Sequence, residues 1–197
     1  SGTQKNPNND PNYAFGNSKA NQFNSDVSQA EQNSNPDTIA DTNNNDAFKG
    51  AAQALKDVYD NGPQNHINQD STHSADYVKA YNLEVDKANA ANKQARDDMT
   101  NGVSKDDSRV DNNDSNVSNA SNTATKAIYD HAYDQVATGF DAGLNSSNGS
   151  GYPSNSDQQV GYNNATEVVA TTRYQAGQGL SKGYQEAVAD FLAGNTN

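Results

Sequence analysis

The stretch from Gln158 to Gly194 constrains the fold of this chain more than any other. Tyr162, Ala165, Val169, Arg173, Ala176, Leu180, Tyr184, Ala187 and Phe191 recur at steps of three, four and four, and only Arg173 among them is charged. An 11-residue period spans three helical turns at ~3.67 residues per turn, so the stripe stays on one side of a nearly straight helix. Such a helix is roughly 55 Å long. It buries one narrow strip, and the rest of the chain is expected to supply what covers it. The predicted fold class is therefore all-α.

The remaining segments fit that expectation. Residues 1–43 are Asn-rich and read as a tail or as a weak helix near 11–31. There Gly16, Ala20, Phe23, Val27 and Ala30 keep helical spacing, Pro11 suits a first turn, and Asn35-Pro36 breaks the run. After the cap cluster Asn43–Asp46, one face carries Phe48, Ala52, Leu55 and Tyr59, and Asn61-Gly62-Pro63 stops it. A polar loop runs to about His73. Val78, Tyr81, Val85, Ala88, Asn92, Ala95 and Met99 then form a heptad seam. Residues 103–120 read as a polar linker. Ile128, Ala132 or Tyr133, Val136 and Phe140 mark a further helix with an expected end at Gly143, and residues 145–156 form a loop.

Composition sets the depth of the core. Hydrophobic residues make up only 31% of the 197, and Trp and Cys are absent. Roughly one residue in six is Asn, several times the usual share. A chain this polar builds thin helical layers, each helix burying one stripe. The net charge of −12 and pI of about 4.4 repel phosphate backbones, which argues against a nucleic-acid partner. No apolar run approaches the ~20 residues a membrane span needs, so no membrane insertion is expected. The start at Ser1-Gly2 reads as a fragment boundary or an expression scar, with any signal or wall anchor expected in a longer parent chain.

Four segments end alike: Tyr59 to Gly62, Met99 to Gly102, Phe140 to Gly143 and Phe191 to Gly194, each with a large apolar residue three positions before a glycine. This predicts a duplicated helix–loop–helix unit over 44–102 and 121–197. The expected architecture is four main helices, with a weaker fifth at the N-terminus. They would form two tandem helical hairpins in a slender bundle or an elongated array.

No chemical motif survives inspection. His66, His73 and His131 share no ligand spacing, and no Cys can join them, so no metal site is expected. The calcium-loop pattern starting at Asp111 fails at Asn116 and Asn122, where Gly and Glu belong. Gly177, Gly179 and Gly183 have the wrong spacing for a dinucleotide loop and no strand before them, so close helix packing is the expected role. Asp130 and Asp134 flank His131 without a nucleophile or pocket signal nearby. No catalytic residue and no cofactor is expected. Tyr129, Tyr133, Tyr162, Tyr174 and Tyr184 lie on or beside the apolar stripes, which leaves two readings: core packing, or a Tyr-lined contact surface.

Two segments, Tyr129 to Gly143 and Ala176 to Gly194, resemble Tyr/Gly/Ala helical repeats of large surface proteins of lactobacilli and related lactic acid bacteria. The resemblance covers residues 121–194 well and 44–102 loosely. It implies an exported, cell-wall-associated protein concerned with cell adhesion and aggregation, and it carries no catalytic residues. The expected function is thus a non-enzymatic extracellular adhesion or aggregation module. Its partner would be another copy of itself or a host surface protein or glycan, with association favoured at acidic pH. The alternatives are a glycan-binding module using Tyr and Asn/Asp side chains, or a passive stalk.

Overall fold

Each apolar run becomes a helix. The computed structural model describes residues 11–38, 43–110, 122–145 and 151–192. Within them lie five α-helices, two short 3-10 turns and no strand: α1 Pro11–Glu31, α2 Asp46–Asn61, α3 Ala75–Thr100, α4 Thr123–Asn145 and α5 Asp157–Leu192. The weak N-terminal periodicity is thus a full helix.

Caps and stops follow local chemistry. Ser74 Oγ accepts the Tyr77 N–H at 3.2 Å, and Ser156 Oγ accepts the Gln159 N–H at 3.2 Å, so each hydroxyl satisfies a free donor of the first turn. Gly62 (φ 75°) and Gly102 (φ 68°) take the positive φ that glycine allows, at the ends of α2 and α3. The stop expected at Gly143 is not one. α4 runs on to Asn145, because Gly143 is a packing position. The calcium-like loop from Asp111 and the ending at Gly194 lie outside the described residues.

Two compact units divide inside α4, between Gln135 and Val136. In the first, α2 packs between α1 and α3. Its buried face is broad: Ala47, Phe48, Ala51, Ala54, Leu55 and Val58 are all covered. From α1 come Val27 and Ala30, from α3 Tyr81, Val85, Ala88 and Ala95, and from α4 Ala124, Ile128 and Ala132.

The two helices of 44–102 pair as expected, but they run in the same direction. A Cβ at Gly50 would collide with the Tyr77 carbonyl oxygen, Tyr81 OH donates to Asp57 Oδ2 at 3.0 Å, and the Gln64 N–H reaches Asn89. Both sequences of contacts rise together. Residues 62–74 make this possible: thirteen extended residues reach up to ~43 Å, against ~24 Å for α2.

The returning strap is held by side-chain amides. Asn89 Oδ1 accepts the Gln64 N–H at 2.9 Å, and its Nδ2 donates to the Gln64 carbonyl at 2.8 Å. Asn82, seven residues earlier, treats Ile67 the same way, at 2.8 and 3.0 Å. An Asn amide matches a peptide group in donor and acceptor, so each pairs with extended backbone as a neighbouring strand would.

Residues 103–110 of the expected linker also fold back. Tyr133 OH donates to the Val103 carbonyl at 2.9 Å, and Lys105 Nζ contacts both oxygens of Asp134 at 3.1 Å. In the second unit, a Cβ at Gly139 would strike the Gln158 carbonyl, and one at Gly143 would lie 2.7 Å from the Tyr162 carbonyl. Gly161 sits as tightly against Val136. The contacts 139–158 and 143–162 again rise together, so this pair is parallel too.

Candidate functional site

The seam of α3 carries more than apolar residues. Glu84, Asn92 and Asp98 are buried on it beside Val85, Ala88 and Ala95. Lys87 Nζ donates to Glu31 Oε1 of α1 at 2.7 Å and forms an ion pair with Glu84 Oε1 at 2.9 Å. Burial pushes the Glu84 carboxyl up to about 8, the Glu31 charge adds to the rise, and Lys87 offsets only part of it. Burial thus favours the protonated form of Glu84, beside the Lys87–Glu31 contact. Burial opposes the charge of Lys87, but Glu84 and Glu31 outweigh it and raise its pKa.

The second polar node closes the other end of α3. Tyr129 OH donates to Asp98 Oδ2 at 2.7 Å and accepts the Asp106 N–H at 3.1 Å. Arg109 Nη1 donates to the same Asp98 oxygen at 3.1 Å. Burial alone would raise Asp98, yet Tyr129, Gln94 and Arg109 outweigh it and hold its carboxyl below the usual range. Neither node was signalled by periodicity, which treats an acid on the stripe as a flaw.

The singled-out tyrosines scatter. Tyr129 is fully buried and Tyr162 nearly so, with its ring edge-on to Tyr152 at 6.4 Å. Tyr133 is half-buried and tied to Val103. Tyr174 is 67% exposed. Tyr184 lies on α5, with its side chain outside the described residues. Tyr129 and Tyr162 are thus packed within their own units, whereas Tyr174 is exposed. His131 stacks on Tyr59 with ring centroids 4.0 Å apart, His66 pairs with Asp86 at 2.7 Å, and His73 closes a turn on Asp70. No group of three His, Asp or Glu among the described residues is placed to hold a metal ion.

The glycines differ from expectation most of all. Close packing falls to Gly50, Gly139, Gly143 and Gly161. Gly179 and Gly183 meet nothing within 4 Å, so their expected packing role has no partner here, and the surroundings of Gly177 lie outside the described residues. The cause is where α5 is covered. Gly161, Tyr162 and Ala165 are buried against α4; beyond Thr166 no described side chain is buried, and Val168 and Tyr174 are 51% and 67% exposed. Of the described stripe positions beyond Ala165, Val169 is half-buried and Arg173, Ala176 and Ala187 are exposed. No described helix is long and apolar enough to cross a membrane.

These features define an all-α protein whose described residues include two parallel helix pairs, each with glycine at the crossing. No family model, curated protein or solved structure matches it.

Proposed function

We propose that this chain is a non-enzymatic, extracellular adhesion or aggregation module of a bacterial surface, and that it acts by associating with itself. The observation that carries the reading is the distal half of α5. It continues the stripe that packs on α4, and among the described positions of that stripe Arg173, Ala176 and Ala187 are exposed. An amphipathic helix gains by burying the exposed part of its stripe against another helix. A glycan-binding surface finds less support, because Tyr129 and Tyr162 are buried. The resemblance to lactobacillar surface repeats favours the same class and a wall-associated location. The finer arrangement, two helix pairs in an elongated array, belongs to this proposal and would appear in small-angle scattering as a rod-like profile.

Acid is the proposed trigger. Asp and Glu titrate near ~3.9 and ~4.3, so a charge of −12 at pH 7 is largely gone by about pH 4. Beads coated with the chain should clump at pH 4 without added sugar and disperse at pH 7. Clumping only in the presence of a glycan would favour the sugar-binding alternative, and none at any pH the stalk.

A further inference from the structure

α1 is seated by its second half alone. Every residue from Pro11 to Gln22 is exposed, and the buried residues of the helix are Asp26, Val27, Ala30 and Glu31. Two of those four are acids. The apolar part of the seat is therefore small: Val27 and Ala30, with Phe23 half-buried near them. α1 lies mainly on α2, and long side chains bridge it to α3. Lys79 Nζ stands 4.5 Å from the centre of the Phe23 ring, and Lys87 Nζ meets Glu31 Oε1 at 2.7 Å. With so little apolar surface in this joint, its polar contacts decide whether it stays closed.

Glu84 lies in the joint, one turn before Lys87. It is fully buried, and neither carboxyl oxygen has a hydrogen-bond partner beyond the Lys87 ammonium, 2.9 Å from Oε1. The charges acting on it are Glu31 from α1 and Lys87 from its own helix. α2 presents none, since its buried residues are apolar or Gly. On α4 the buried titratable group is Tyr129, which is bonded to Asp98 near the far end of α3. Protonated, Glu84 leaves the joint neutral, with Glu31 and Lys87 in balance. Ionised, it sets two carboxylates against one ammonium and buries an extra charge, which is costly away from water. Moving α1 outward removes Glu31 and lets water reach Glu84.

A hinge for that motion is in place. Residues 32–35 follow α1, and all but Asn33 are exposed. Beyond them Pro36 is buried, and Asp37 pairs with Lys56 of α2 at 3.0 Å, so the chain is again tied to α2. Asp26 adds a second tie on the arm, accepting from Asn43 and Asn45 at 3.2 and 3.1 Å, and both partners are neutral amides.

We propose that α1 is a hinged arm latched by the proton on Glu84: when Glu84 ionises, residues 23–31 leave α2 and α3, and the α2–α3 pair stays folded. The inference concerns the single chain and stands apart from the self-association reading. Its direction follows from the raised pKa of Glu84, caused by burial first and the Glu31 charge second. The docked state holds the extra proton, so docking is favoured at low pH and weakens as pH rises from about 4.5 to about 8. One proton limits the change to about tenfold per pH unit. The α2–α3 pair keeps its own core of Phe48, Leu55, Val58, Tyr81 and Val85.

Hydrogen exchange of the whole chain from pH 6 to pH 9 tests the latch, with each rate divided by that of an unstructured chain at the same pH. A freed helix this polar is marginal in water, so exchange reports release. Protection of residues 23–31 should fall about tenfold or more, while protection of residues 51–58 and 81–95 stays within about twofold. Glu84→Gln should hold residues 23–31 protected throughout. Glu31→Gln should also flatten the fall, because ionised Glu84 then has Lys87 to itself; it serves should Glu84→Gln lose helicity by circular dichroism. Constant wild-type protection at 23–31, or a fall shared equally by all three segments, overturns the latch. So does a full fall that survives in either folded variant.

Discussion

At the scale of single residues, the polar groups inside the first unit set its response to pH. Glu84 binds its proton more tightly folded than unfolded, with a folded pKa of about 8. Where the folded state holds more protons, stability falls as pH rises. The Glu84 contribution is therefore fully present below about pH 4.5, is lost progressively up to pH 8, and is flat beyond. Glu84→Gln should flatten this slope and raise the melting temperature at pH 8, measured by thermal denaturation at several pH values. An unchanged slope would show that Glu84 ionises as an ordinary surface carboxylate. Tyr129→Phe removes one bond to Asp98 and strands the Asp106 N–H, for a cost of about 1–3 kcal/mol in denaturant unfolding. A change below ~0.5 kcal/mol would mean the node is dispensable. Sequence pattern could place Tyr129 on a stripe but not say whether its hydroxyl met water or Asp98. Those partners lie 31 and 23 residues away, beyond any local spacing rule.

At the scale of elements, the helices were legible and their directions were not. Apolar steps of three and four located α2 through α5, because burial of one face is what forms a helix in so polar a chain. Direction depends on residues 62–74, whose anchors Asn82 and Asn89 look like any of the other Asn residues in the sequence. Asn82→Ala should strand the N–H and carbonyl of Ile67 and cost about 1–3 kcal/mol, with hydrogen exchange quickening first at residues 64–67. No change in exchange there would remove the strap from the account. Glycine was misread for a related reason: Gly143 before a polar loop resembles a stop, yet it seats the Tyr162 backbone. Gly139→Ala should cost about 3 kcal/mol, since the new methyl meets backbone that cannot yield. Gly179→Ala, in open space, should instead gain about 1 kcal/mol of helix stability. Equal effects at the two sites would contradict the difference in packing between them.

At the scale of the whole molecule, a polar chain with thin seams leaves the described side chains of α1 before Phe23 and most of those of α5 beyond Thr166 exposed, and a net charge of −12 opposes close approach of copies at neutral pH. The length of the α5 stripe could be read from sequence, but not that Ala165 is its last buried residue among the described side chains, because nothing in the pattern changes there. Screening by salt should mimic acid, so assembly is also expected at pH 7 in about 1 M salt, where charge effects reach only ~3 Å. Sedimentation velocity of the unmodified chain from pH 7 to pH 4, with helicity followed in parallel, bears most directly on the self-association claim. The expected result is a monomer at pH 7 that grows into progressively larger species toward pH 4 with helical signal intact. A chain that stays monomeric at its pI of about 4.4, at high concentration and fully helical, would contradict the account.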